Sequence, residues 1–216
     1  MRTGAVAQDG AVLVIACGAI AHELVAVIRA NRWEHVKVQC LPAALHNDPQ
    51  RIPGAVRAKI QAAKGRYRHL FVAYADCGTG GLLDEVLQEA DVQRLPGAHC
   101  YEFFAGAREF KELSDEEPGT FYLTDFLARH FERLIVKTFR LDEHPELLEM
   151  LFGNYRRLVY LAQTENPALT GMARAAAEKL GLQFERRITG YGELAERLVE
   201  FEARSGTAEQ VAQWQS

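Results

Sequence analysis

The fold class is decided near the start of the chain by Val12–Ala16 (VLVIA), Cys17-Gly18 and Ile20–Ala30 (IAHELVAVIRA). The first segment is short, apolar and rich in β-branched residues, which predicts a buried strand. The last has apolar residues at helical spacing, and Cys17-Gly18 separates the two elements. A buried strand that leads directly into an amphipathic helix is typical of a parallel α/β sheet.

The same alternation continues along the chain. The further predicted strands are Val36–Leu41, Leu70–Tyr74, Val92–Leu95, Arg157–Ala162 and Gln183–Ile188, and the further predicted helices are Gly54–Lys64, Leu82–Ala90, Phe121–Thr138, Glu143–Phe152, Pro167–Leu180 and Tyr191–Arg204. Strands that alternate with helices pair in parallel through right-handed crossovers. We therefore predict an α/β fold, a Rossmann-like three-layer sandwich with one mostly parallel sheet and a helical insertion.

The domain organisation follows from the order of these elements. We predict a flexible leader over residues 1–10, a single α/β domain over 11–204 and a tail over 205–216. Within that domain, residues 11–110 form a half that bears the cysteines, 111–155 form a helical segment and 156–204 form a second α/β segment.

Composition and charge exclude several classes of protein. The 216 residues are 48% hydrophobic and 25% charged, which excludes a mainly disordered or collagen-like chain. The net charge of −4 gives no electrostatic reason to bind nucleic acid or an anionic membrane. The longest apolar run, Ala11–Ala21, is too short to span a bilayer, and no signal peptide precedes it. We therefore expect a cytoplasmic protein that binds neither nucleic acid nor membranes.

The cysteines follow a pattern of their own. In a reducing cytosol, Cys17, Cys40, Cys77 and Cys100 are expected to be free thiols or metal ligands rather than disulfides. No CxxC pair occurs, so any metal site must combine distant segments. Cys40 lies within or near the end of the second predicted strand, where we interpret it as a small core residue.

The other three cysteines and one histidine follow the predicted strands. Cys17, His46, Cys77 and Cys100 each come after a different strand. Right-handed crossovers between parallel strands place the loops that follow the strands at the same end of the sheet. These four side chains are therefore expected to lie together, where ligands bind in such sheets. Three thiolates and an imidazole suit zinc, and three cysteines could instead hold an iron–sulfur cluster. The alternative is that the cysteines are small residues buried at tight turns.

Two further features lie near these residues. Gly78, Thr79, Gly80 and Gly81 form a glycine-rich turn into a helix, which could present amides to an anionic cofactor or simply start the helix. Glu23 lies in the first helix near Cys17, either as a partner that orients a metal ligand, as a general base or as an exposed helix charge.

Several short motifs together resemble one protein family. They are Ala16-Cys17-Gly18 with Glu23, Leu45-His46-Asn47-Asp48-Pro49, Tyr74-Ala75-Asp76-Cys77-Gly78-Thr79-Gly80, His99-Cys100-Tyr101-Glu102-Phe103-Phe104-Ala105-Gly106 and Gly119-Thr120-Phe121-Tyr122-Leu123-Thr124. In this order they resemble the domain of unknown function 1638 family over about residues 11–202. The family favours Asp before the last cysteine and Tyr-Gly before the third, where this chain has His99 and Ala75-Asp76.

The resemblance implies a role in one-carbon metabolism, because some family members lie near genes for corrinoid-dependent methyl transfer. The first hypothesis is a zinc-dependent methyltransferase for a thiol, corrinoid or folate-linked small molecule, with His46 and Glu23 as catalytic residues. The second is a non-catalytic carrier of metal or cofactor, or an accessory factor for a corrinoid protein or methyltransferase. The third is a small-anion sensor that uses the Gly78–Gly81 turn. The apolar helices around Phe121–Phe152 could supply a homodimer face.

Overall fold

The structure, a computed structural model, describes the backbone of residues 11–214 and the side chains of residues 11–203. The predicted leader, residues 1–10, lies outside the described residues. The chain divides into two compact units, the first made of the residues up to Cys100 with those from Glu193 onward. The second unit is Tyr101–Gly192.

The first unit holds a parallel sheet of four strands in the order β2-β1-β3-β4. Its strands are β1 (Val12–Cys17), β2 (Val36–Leu41), β3 (His69–Ala73) and β4 (Gln93–Arg94), and its helices are α1 (Ala21–Ala30), α2 (Ile52–Ala63), α3 (Leu82–Ala90) and α9 (Glu193–Trp214). Short 3-10 turns cover Gly18–Ile20, Ala43–Asn47 and Pro49–Arg51.

The central strand β1 explains why its sequence is continuously apolar. All six of its residues are buried, and it pairs with β2 on one side and β3 on the other. A parallel strand covered on both faces loses the polar alternation that a half-exposed strand would show. The strand β2 lies at the edge of the sheet and is mostly half-buried or exposed, which matches its alternating sequence VKVQCL.

The second unit holds a parallel sheet of three strands in the order β5-β6-β7. Its strands are β5 (Thr120–Leu123), β6 (Arg157–Ala162) and β7 (Gln183–Ile188), and its helices are α5 (Ala107–Glu116), α6 (Asp125–Phe131), a π-helical turn (Glu132–Val136), α7 (Leu147–Phe152) and α8 (Pro167–Leu180). The short helix α4 (Cys100–Ala105) begins where the two units meet along the chain.

Helix α8 shows how local sequence sets an element. The Asn166 side chain accepts hydrogen bonds from the amides of Ala168 and Leu169, at 2.9 and 3.3 Å. Pro167 occupies the first helical position and Gly181 ends the helix at φ +70°. Asn, Pro and Gly are favoured at these helix positions. The observed helix spans Pro167–Leu180, which confirms the predicted bounds.

The prediction of a Rossmann-like α/β fold with parallel strands is confirmed, but the expectation of one sheet is wrong. The described strands pair in two sheets, with β6 between β5 and β7. The predicted helix Phe121–Thr138 is also wrong in its first turn, because Thr120–Leu123 forms β5. The helix begins after Thr124, whose hydroxyl caps it by accepting from the Leu127 amide at 3.3 Å.

Other boundaries also differ from prediction, and α7 begins at Leu147 rather than at Glu143. The strand predicted over Val92–Leu95 is shortened to the two residues of β4. The last helix, α9, continues to Trp214, past the point at which we predicted a tail. Among the described residues, no helix is long and apolar enough to cross a membrane.

Candidate functional site

The first unit brings the predicted thiols to one edge of its sheet. Cys17 is the last residue of β1, Cys77 follows β3 and Cys100 begins α4 after β4. We call these three side chains the thiol cluster. Burial raises the pKa of both Cys17 and Cys100, and the nearby Cys77 raises it further. All four cysteines of the chain are free thiols.

The tight turn after β1 holds Cys17 close to His46. The Cys17 thiol is 3% exposed, accepts a hydrogen bond from the Ala19 amide at 3.3 Å and lies 3.8 Å from His46 Nδ1. A Cβ on Gly18 would lie 3.0 Å from the Leu41 carbonyl oxygen. Glycine therefore permits the close approach between this turn and the end of β2.

His46 is oriented by a backbone carbonyl. Its Nδ1 lies 3.1 Å from the Ala43 oxygen, which can only accept a hydrogen bond. We therefore assign the proton to Nδ1, which leaves the lone pair on Nε2. Burial lowers the pKa of His46, so the neutral ring is favoured at pH 7. A carbonyl partner of this kind fixes the tautomer of many metal-binding histidines.

Cys77 adopts an unusual backbone conformation. Its φ is +52°, a left-handed value that costs a residue with a side chain roughly 1–2 kcal/mol. Gly78, Gly80 and Gly81 also have positive φ, so Cys77 is the non-glycine exception in this turn. Its amide donates to the Ala98 oxygen at 2.8 Å, which ties it to the segment that leads into Cys100.

The side chain of Asp76 forms several hydrogen bonds within the same turn. Its carboxylate accepts hydrogen bonds from Thr79 Oγ1 at 2.6 Å and from the amides of Gly81 and Gly80 at 3.0 and 3.2 Å. Burial alone would raise the pKa of Asp76, but these hydrogen bonds together lower it. Two amides of the predicted cofactor loop thus already have an anionic partner within the chain.

Burial keeps the thiol cluster protonated in the absence of a metal. It raises the pKa of Cys17 to about 12 and that of Cys77 to about 11, and it raises the pKa of Cys100 well above its usual value. At neutral pH these groups are therefore thiols rather than thiolate nucleophiles.

A pH dependence follows for the metal-free protein. The folded-state pKa values of Cys17 and Cys77 lie above the ordinary value of 9.0, so their contribution to stability is complete below about pH 9. It declines as the pH rises through 11 and 12, by up to about 1.4 kcal/mol per thiol for each pH unit. We expect urea unfolding with chelator and reductant to show lower stability at pH 10 than at pH 8. The Cys77→Ala variant should lose less stability than the wild type over this interval, and an equal loss would contradict this origin.

Glu23 and Cys40 correct two sequence-based interpretations. Glu23 is only 5% exposed on α1, so the alternative of an exposed helix charge is wrong. The pKa of Cys100 is raised mainly by burial, and the nearby Glu23 carboxylate contributes to the same rise. Cys40 is exposed on β2, so its interpretation as a core residue is wrong. The reason is that β2 is an edge strand.

Sequence analysis missed Tyr74, a buried residue of this site. It is 1% exposed, its ring stacks against that of His46 with centroids 6.1 Å apart, and its hydroxyl lies near Cys17. The available signal was its place at the end of the apolar run LFVAY, immediately before Ala75-Asp76-Cys77.

The arrangement contains metal-binding residue types but no preformed metal geometry. In the part of the chain that the structure describes, no three or more His, Cys, Asp or Glu side chains are grouped so as to hold a metal ion. Of the four predicted ligands, Cys17 lies 3.8 Å from His46 Nδ1, and the nearby Cys77 contributes to the raised pKa of both Cys17 and Cys100.

Comparison with known proteins places the chain in one family. The family model described as "Protein of unknown function (DUF1638)" matches residues 40–198. No curated protein and no solved structure matches the chain. The matched range contains His46, Cys77 and Cys100 but begins after Cys17 and Glu23. Because the match covers most of the 216 residues, the chain belongs to the DUF1638 family of proteins of unknown function.

Proposed function

We propose that the protein binds zinc through Cys17, Cys77, Cys100 and His46, and that it serves methyl transfer in one-carbon metabolism. The observation that supports the metal proposal is that Cys17 lies 3.8 Å from His46 Nδ1, while Cys77 and Cys100 follow neighbouring strands of the same sheet. Thiolate sulfur and imidazole nitrogen are the ligands that zinc prefers in proteins.

Two details support a function for these residues beyond packing. Cys77 keeps a backbone conformation that glycine would adopt at lower cost, in a turn where Gly78, Gly80 and Gly81 share the positive φ. His46 donates its Nδ1 proton to a backbone carbonyl, which leaves Nε2 for a cation. Since no ligand set is preformed among the described side chains, binding would include a rearrangement of the thiol cluster and the release of its protons.

The chemistry of methyl transfer is the second step of the proposal. Bound zinc is a Lewis acid that keeps a coordinated thiol ionised at neutral pH. His46, when not a ligand, and Glu23 are the groups placed to accept a proton from an incoming thiol. The family resemblance supports a corrinoid or folate-linked methyl donor as the other substrate. A reducing compartment, the cytoplasm, would keep the thiols available.

The two alternative functions, a carrier or accessory factor and a small-anion sensor, are not equally well supported by the turn after β3. A carrier, or an accessory factor for a corrinoid methyltransferase, would use the same four ligands without turnover. A small-anion sensor is less well supported, because Asp76 occupies the amides of Gly80 and Gly81 and its charge would repel an anion.

The metal proposal is tested by elemental analysis of protein prepared anaerobically without a metal-chelating tag. We expect about one zinc per chain in the wild type and almost none in Cys77→Ser. Cys40→Ser is the matched control, since it makes the same change at an exposed position and should retain the metal. Circular dichroism would verify that both variants fold.

Each other result has a definite meaning. Iron with broad visible absorption would indicate that the same cysteines hold an iron–sulfur cluster instead of zinc. Stoichiometric zinc in folded Cys77→Ser, or no metal in the wild type, would overturn the assignment. With zinc bound, methyl transfer from methylcobalamin or methyltetrahydrofolate to a thiol supports the enzyme. Its absence, together with co-purification of a methyltransferase, supports the accessory role.

A further inference from the structure

An open cavity of about 500 Å³ lies at the amino ends of β3 and β4 in the first unit. Its wall includes Lys64 at the end of α2, His69 at the start of β3 and Phe201 on α9. The thiol cluster lies where β1 and β3 end, so this cavity is at a separate place in the unit. Its volume is within the range of sites that hold small molecules.

The lining of this cavity is more positive than the chain as a whole. Lys64 and Arg68 contribute two positive charges, and Asp91 contributes the one carboxylate among the described lining residues. The whole chain, in contrast, has a net charge of −4. The charge of the lining therefore favours an anion, and the volume of the cavity favours a small one.

Two of the lining side chains have nitrogens that the fold does not use. His69 Nε2 is inaccessible to solvent and has no hydrogen-bond partner among the described residues, which is rare for a buried polar atom. Because no hydrogen bond holds the imidazole, its ring can turn and present a nitrogen to the cavity. The Lys64 side chain makes no ion pair in the described part of the chain, whereas Arg94 on β4 pairs with Asp84 at 2.6 Å.

Another part of the cavity wall is apolar. It consists of Leu70, Val92 and Phe201, and the Phe201 ring packs against Phe71 with ring centroids 4.6 Å apart. Apolar walls that carry a few polar groups are typical of small-molecule sites. A ligand with an anionic group and an apolar body would contact both parts of this cavity.

We propose that this cavity binds a small organic phosphate, with its phosphate group against Lys64 and His69 and its apolar body against Phe201. A phosphate monoester fits better than a carboxylate, because it carries up to two negative charges and three acceptor oxygens. Its hydrogen bonds to a charged donor such as lysine are of the stronger, charge-assisted kind. The inference is independent of the proposed zinc site and adds a second site to the first unit.

The test is calorimetric titration of the full-length protein with phenyl phosphate, in the presence of chelator and reductant so that no metal binds the phosphate. Lys64→Gln should raise the dissociation constant roughly fivefold or more, because it removes a charged donor. Lys59→Gln is the matched control, since it removes the same charge from the same helix. Lys59 donates to Gln39 at 3.3 Å and does not line the cavity, so its variant should bind like the wild type.

Asp91→Asn should change the affinity in the opposite direction. Removal of the carboxylate removes a repulsion, so the dissociation constant should fall roughly two- to threefold. Asparagine tolerates the left-handed backbone of Asp91, where φ is +52°, so this variant keeps the fold. A fall here and a rise in Lys64→Gln together identify the cavity as the place where the phosphate binds.

His69→Phe separates ligand binding from stability. Phenylalanine keeps a ring but removes both nitrogens, so the dissociation constant should rise roughly fivefold or more. Urea unfolding without ligand should show no loss of stability, because Nε2 has no partner to lose. If this variant does not fold, the Lys64 and Asp91 variants still decide the question.

Other results would overturn the inference. These are the absence of saturable binding of phenyl phosphate, equal affinity in the wild type and Lys64→Gln, or equal weakening by Lys59→Gln. Equal affinity for inorganic phosphate would show that the apolar wall contributes nothing, which overturns the class of ligand. The zinc content of the protein bears only on the proposed function, so the two can fail separately.

Discussion

Replacing Asp125 with alanine is expected to lower the free energy of unfolding by about 3–5 kcal/mol, because it removes the acceptor for three hydrogen bonds. The carboxylate is 5% exposed and accepts from Tyr160 Oη at 2.6 Å, Thr164 Oγ1 at 2.5 Å and the Gln163 amide at 3.0 Å. Alanine would leave these donors without their partner in a region with little access to water. Urea unfolding followed by circular dichroism measures the loss.

Asp125→Asn is the matched control for this network. Its amide oxygen can still accept from Tyr160 and Gln163, whereas its nitrogen would face the donor Thr164. We expect this variant to lose about half as much stability as the alanine variant. A loss below about 1 kcal/mol for alanine would show that water or side-chain rearrangement satisfies the freed donors.

The Asp125 network lies at one end of the sheet in the second unit. Asp125 follows β5, and Gln163 and Thr164 follow β6, so the network lies at the carboxyl ends of parallel strands. That edge is the usual ligand position in such sheets. In the second unit, these polar groups hydrogen-bond to one another. In the first unit the corresponding edge carries the thiol cluster and the buried side chain of Tyr74.

Much of the first unit was predictable because its signals are local. The strands β1 and β3 are buried on both sides and read as apolar runs, and a helix follows each of them. Parallel topology then places the residues after each strand at one edge, so the neighbourhood of Cys17 and Cys77 follows from strand order alone. Strand β5 was missed because four residues, TFYL, continue directly into a helix and do not define a period.

The remaining features depend on packing between distant segments. Exposure of Cys40 depends on β2 being an edge strand, which its own residues do not specify. The pattern of α1 did not reveal the burial of Glu23, because a charged side chain on an amphipathic helix is usually exposed. The sequence of the turn Cys77–Gly81 indicated backbone amides that could bind an anion. An aspartate that precedes glycines can accept hydrogen bonds from their amides itself, as Asp76 does from Gly80 and Gly81.

Gly192→Ala is expected to destabilise the second unit by at least about 4 kcal/mol, an exceptional loss for a single methyl group. Gly192 has a φ of +51°, and a Cβ at this position would lie 2.3 Å from the carbonyl oxygens of both Phe103 and Phe104. These are backbone atoms of α4, so no side-chain rotation can relieve the overlap. The helix or the chain near Gly192 would have to move.

Gly190→Ala separates this overlap from the cost of the left-handed backbone. Gly190 has a similar φ of +58°, but no atom lies within 4 Å of the position that its Cβ would take. Alanine there should cost only the roughly 1–2 kcal/mol of the left-handed conformation. The difference between the two variants in urea unfolding therefore measures the contact with α4. If Gly192→Ala does not fold, recovery of folded Gly190→Ala still supports the steric origin. Equal losses would show that φ alone explains both, and that α4 can move away from Gly192 at little cost.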